Sequence, residues 1–64
     1  MEQEIKEMSG RLIGKIIYDG GKWYAKEPSG RRIGYFDGTY TKLMSGRAIA
    51  KGNILSALFF VNFD

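Results

Sequence analysis

The sequence contains no cysteine and no histidine, and only one proline and one tryptophan. Without thiol or imidazole, zinc sites, iron–sulfur ligation, Cys or Ser–His nucleophilic catalysis and histidine acid–base chemistry have no residues to run on. No catalytic, metal-ligating or cofactor-binding set is therefore assigned, and the chain reads as a non-enzyme. The same absences remove disulfides and most structural metals, the usual supports of a small fold. A chain of 64 residues makes one domain at most, spanning 1–64, and buries only about 60% of the surface its unfolded form exposes. Self-association is the route left for covering apolar surface, so a homo-oligomer is expected.

Long hydrophobic runs are missing as well. The densest, Ile54 to Val61, falls far short of the roughly 20 residues needed to span a bilayer. Met1 to Met8 is acidic and has no apolar signal region. The expectation is a cytoplasmic protein with no membrane partner, and the lack of cysteine fits a reducing compartment without excluding export. Ten Lys+Arg against seven Asp+Glu give a formal charge of +3, a mild basic bias that a solvated β surface carries as readily as a nucleic-acid patch does.

What is present is an internal repeat. The phrase Lys-x-x-Ser-Gly-Arg-x-Ile occurs three times, as Lys6 to Ile13, Lys26 to Ile33 and Lys42 to Ile49. Two copies place a tyrosine two residues ahead of the lysine (Tyr24, Tyr40), and two are followed by Asp-Gly (Asp19-Gly20, Asp37-Gly38). In Glu27-Pro28-Ser29-Gly30 the order Pro, Ser, Gly spells a type I turn closed by a left-handed glycine bulge. The unit is therefore a β-hairpin with Glu7 opposite Arg11, Glu27 opposite Arg31 and Leu43 opposite Arg47. Counting inward from the turn pairs Ile5 with Ile13, Ala25 with Ile33 and Thr41 with Ile49, so the repeated isoleucines should share a core face. Tyr24 then falls across Gly34 and Tyr40 across Ala50, an aromatic covering bare strand backbone; alternatively, the small residue marks close approach of another chain or a ligand.

The fold class that results is all-β: a meander of about six short antiparallel strands from three repeated hairpins, followed by an apolar C-terminal segment. That segment, Asn53 to Asp64, is too densely apolar for a half-exposed strand and reads as a buried strand or a short plugging helix, which periodicity does not separate at this length.

The units built from Tyr24, Gly30, Ile33, Gly34, Tyr35, Asp37 and Gly38, with looser equivalents in the other copies, resemble the uncharacterised bacterial proteins grouped as four-fold beta flower proteins. The resemblance implies a small hairpin-repeat fold without an assigned activity. Ala50 in place of glycine, and Lys15 and Lys51 in place of tyrosine, depart from its pattern.

Asp19 and Asp37 are the repeated carboxylates, and each precedes glycine, where Asp hydrogen-bonds its own backbone in a turn. The glycines lack the spacing of a phosphate-binding loop. The leading functional reading is a non-enzymatic, self-associating structural or protein-interaction module, with Ile54, Leu55, Leu58, Phe59 and Phe60 as the candidate subunit interface. The alternative is a small basic barrel that binds single-stranded nucleic acid through Lys22, Trp23, Tyr24, Arg32, Tyr35, Tyr40 and Lys42, with Lys26, Arg31, Phe36 and Arg47 nearby, where cations and aromatics interleave. Strand aromatics that simply pack, and lysines that guard strand edges, give the competing structural explanation of the same residues.

Only glycine takes positive φ at little cost, so Gly30→Val should cost at least about 1–2 kcal/mol, a fall in Tm of roughly 5–15 °C for a domain of this size. Thermal melts followed by circular dichroism check this, and an unchanged Tm contradicts the turn assignment.

Overall fold

The computed structural model describes residues 2–61. It contains β1 (Glu2–Lys6), β2 (Leu12–Asp19), β3 (Lys22–Lys26), β4 (Arg32–Phe36), β5 (Tyr40–Leu43), β6 (Ala48–Lys51) and a 3₁₀ helix, Leu55–Phe59. The strands form one antiparallel sheet in sequence order, β1 to β6. Among the described residues β1 and β6 are each paired on one side only, so the sheet is open. The barrel attached to the nucleic-acid reading of the sequence is not formed.

Each Ser-Gly turn has the expected chemistry. In all three, the glycine N–H donates to the carbonyl three residues back (Gly10 to Glu7, Gly30 to Glu27, Gly46 to Leu43), and the Glu7, Glu27 and Leu43 amides donate to the Arg11, Arg31 and Arg47 carbonyls. Gly30 has φ +96° and its site for a Cβ is open, so backbone strain alone, not crowding, excludes other residues there. The reversal between the first two units is tighter. Gly20 and Gly21 both take positive φ, the two-residue hairpin turn whose twist matches its strands.

Beyond the turns the register departs from the simple count. Lys26 pairs with Arg32 but Ala25 pairs with Gly34, leaving Ile33 as an extra residue. The same shift leaves Ile13 unpaired in the first hairpin and Ile49 in the third. The expected pairs Ile5–Ile13, Ala25–Ile33 and Thr41–Ile49 are replaced by Ile5–Gly14, Ala25–Gly34 and Thr41–Ala50, and Tyr24 faces Tyr35 while Tyr40 faces Lys51. The cause is a β-bulge in each repeat, which sets two residues against one. In β4 it lets consecutive residues face the same way: Ile33 packs on the core, and Gly34 lies under Leu58.

The core sits between one face of the sheet and the 3₁₀ helix. Ile16, Ala25 and Leu55 are buried, with Ile5, Trp23, Ile33, Phe36, Leu58 and Phe59 packed around them. Asn53 starts the helix by accepting the Leu55 amide on its side-chain oxygen at 3.1 Å. The fully buried Thr41 anchors the approach: its hydroxyl donates to the Gly52 carbonyl at 2.6 Å and accepts the Ile54 amide at 3.0 Å. This ties β5 to the segment that carries the helix.

The strand glycines are explained by this helix. A Cβ on Gly14 would overlap the Phe59 ring, and one on Gly34 would overlap Leu58 and sit 2.8 Å from the Lys42 carbonyl oxygen. The close approach read from the sequence is real, and the approaching segment belongs to the same chain. The helix packs on β2, β3 and β4, whereas the third copy has Ala50 at the equivalent place, on β6. Gly34→Ala should therefore destabilise the fold by about 1–3 kcal/mol, the usual cost of overpacking, as read from the midpoint of urea unfolding. If a tyrosine were merely covering open backbone, the substitution would be neutral.

Candidate functional site

Because strand side chains alternate, the bulged sheet presents two chemically different faces. The inner one carries the helix. The outer one is set by residues adjacent to buried inner positions: Lys15 and Ile17 flank Ile16, Tyr24 and Lys26 flank Ala25, and Tyr40 and Lys42 flank Thr41. Cross-strand pairing then lays Ile17, Tyr24, Tyr35 and Lys42 in one row and Lys15, Lys26 and Arg32 in the next.

Within this face the Tyr24 and Tyr35 rings lie 6.2 Å apart, tilted by 44°. The Arg32 guanidinium carbon stands 4.0 Å from the centre of the Tyr24 ring, and Lys22 Nζ stands 5.1 Å from that of Tyr35. Such contacts contribute about 0.5–1 kcal/mol each when exposed. Arg32 also reaches Asp19 at 3.4 Å, Lys42 reaches Asp37 at 3.4 Å, and Lys15 reaches Glu2 at 3.5 Å. These pairs are solvent-accessible and contribute little to stability individually.

Six of the seven residues read from the sequence as a binding surface, Lys22, Tyr24, Arg32, Tyr35, Tyr40 and Lys42, thus fall on this one face. Trp23 does not. It pairs with Tyr18 and Phe36 on the inner side, meets the Tyr18 ring edge-on at 5.0 Å and packs on the core. Its sequence neighbour Tyr24 points outward, and two adjacent strand residues away from a bulge cannot share a face. Lys15 was not among the residues read from the sequence as a binding surface. The signal was there in the Gly20-Gly21 turn, which pairs Asp19 with Lys22 and so, counting back, Lys15 with Lys26.

The segment read as a subunit interface divides. Leu55 is completely buried in its own chain, so it is part of the core and not of an interface. Leu58 and Phe59 lie on Gly34 and Gly14 with their remaining surface half-exposed, and Ile54 is half-buried. Phe60 and Val61 stand out, 67% and 52% exposed. They border an open groove of about 730 Å³ lined by Leu58 and Phe59, by Ile13, Ile33, Leu43 and Met44, and by the charged Glu27, Arg31 and Arg32. Glu27 and Arg31 pair across their hairpin at 3.0 Å, and Glu7 and Arg11 make the equivalent pair in the first hairpin.

Asp19 and Asp37 lie in separate turns with separate tasks. Asp37 Oδ1 accepts the Thr39 and Tyr40 amides at 2.9 and 2.8 Å, closing the β4–β5 turn, while Asp19 pairs with Arg32. No group of three or more carboxylates that could hold a metal is found among the described residues, and none of their helices is long and apolar enough to cross a membrane.

Taken together, this is an all-β hairpin meander with one face plugged by its own C-terminal helix and the other bearing a cation–aromatic lattice. No protein-family model, no curated protein and no solved structure matches the chain; its chemistry has to be read from its own residues.

The Tyr40 and Thr39 amides, with help from Lys42, hold the Asp37 carboxyl below its ordinary pKa of 3.8. A carboxylate with a depressed folded pKa adds stability that is present above its unfolded pKa and lost as pH falls through the folded one. Asp37→Ala should therefore be less stable than the parent at neutral pH, with the gap closing as the pH drops below 3.8. Urea midpoints of both proteins across that range test it, and a gap independent of pH removes the ionised carboxylate from the account.

Proposed function

We propose that this chain is a non-enzymatic cytosolic module that works by self-association, with the groove bordered by Phe60 as the contact between copies. The observation that carries this reading is the mismatch, among the described residues, between a core of three buried apolar residues, Ile16, Ala25 and Leu55, and the exposed Met44, Phe60 and Val61 gathered at one groove. Exposed apolar side chains gathered between charged ones suit contact with another protein surface, where an apolar centre is ringed by polar groups.

The rim favours a second copy as the partner. In a two-fold contact the same patch meets itself, and a rim carrying both Glu27 and Arg31 is complementary to its own image. A rim of one sign would repel itself. The resemblance to the four-fold beta flower proteins implies a hairpin-repeat scaffold without an assigned activity, which is compatible with this reading.

Light scattering on the purified protein across micromolar concentrations should give a mass above that of the monomer. Phe60→Asp should raise the dissociation constant at least about 30-fold, the ~2 kcal/mol of a central interface residue. It should leave the fold intact because Phe60 is largely exposed in the single chain. A parent protein that stays monomeric throughout the range rejects the reading.

A further inference from the structure

The outer face of the sheet carries an unresolved electrostatic cost. Lys15 pairs directly with Lys26, and Lys26 with Arg32, which sets three cations in one row on adjacent strands, about 4.8 Å from strand to strand. Like charges directly opposite one another destabilise a sheet. Lys15 faces Glu4 across β1 and pairs with Glu2, and Arg32 reaches Asp19 from two rows away. Lys26, at the centre of the three cations, has no carboxylate within ion-pairing distance among the described residues.

The neighbouring row holds Tyr24 and Tyr35, each with a cation standing over its ring. Phosphate groups on the Lys15–Lys26–Arg32 row would relieve the repulsion, and a base beside them would stack on the Arg32 guanidinium or take its place over Tyr24. Single-stranded nucleic acid is bound by this combination of cations that follow the backbone and aromatics that take the bases. A duplex keeps its bases stacked inside and has no use for the tyrosines.

We infer that the outer face, from Lys15 across Tyr24, Lys26 and Arg32 to Tyr35, binds single-stranded nucleic acid. The site lies on the opposite side of the sheet from the helix, and of its residues Arg32 alone also lines the self-association groove, so Phe60→Asp, which acts on the groove only, separates the two. Trp23 lies partly buried on that opposite side and makes a poor reporter, so binding is best followed by anisotropy of an end-labelled oligothymidylate.

The parent protein and Phe60→Asp should both bind. If all three cations of the row neutralise phosphates, affinity should fall about 20-fold between 50 and 200 mM salt. Tyr35→Ala should weaken binding about 5- to 150-fold, the effect of losing one stacked base, and Lys26→Glu should weaken it and flatten the salt dependence. Lys26 is at the surface of the sheet, so this variant tests the site even if Tyr35→Ala impairs folding. No binding at low salt overturns the inference. So does equal affinity for a duplex or for heparin with no loss in Tyr35→Ala or Lys26→Glu, which would mark generic attraction to polyanions.

Discussion

The structure depends on the seating of a five-residue 3₁₀ helix on bare backbone. A single sheet with one apolar face has to cover that face, and here the cover is Leu55–Phe59. It settles close because Gly14 and Gly34 offer no side chain beneath Phe59 and Leu58, with Ala25 buried between them. Complete burial of a leucine such as Leu55 contributes about 1.5–3 kcal/mol, a large share of the stability open to so small a domain. Thr41 holds the approach to the helix with one donated and one accepted hydrogen bond, so the cover is fixed in direction as well as pressed in place.

The bulge in each hairpin makes this seating possible. By adding one residue on the second strand it turns both members of the Ile33-Gly34 pair toward the helix. Arg32 and Tyr35 remain outside, in contact with the Tyr24 ring. One device thus supplies an apolar wall and a flat floor on the inner side while keeping an uninterrupted cation–aromatic lattice on the outer side. The inner requirement is packing, the outer one solvation and charge, and the two faces are free to take separate roles.

Much of this was legible beforehand. Three Ser-Gly turns, the all-β meander and its strand count follow from turn chemistry and alternation, both of which are local. The cation–aromatic surface was legible too, apart from Trp23, which alternation alone places behind Tyr24, and Lys15, which needed the register of the Gly20-Gly21 turn. The bulges were not legible. A turn sets pairing only up to the first irregularity, and nothing in Ile33-Gly34 as a dipeptide distinguishes a regular strand from one that gives up a residue so that the helix can sit flat.

The sequence by itself determined where the chain reverses, because positive φ at Gly30 and the hydrogen bonds of a tight turn involve only neighbouring residues. It also determined that a thin core would have to be covered. Tertiary structure alone decided what covers it and which residues remain outside. Whether Leu55 lies in the core or at an interface, and whether Gly34 answers to Tyr24 or to Leu58, depends on a contact between segments more than twenty residues apart, and no local preference encodes that contact.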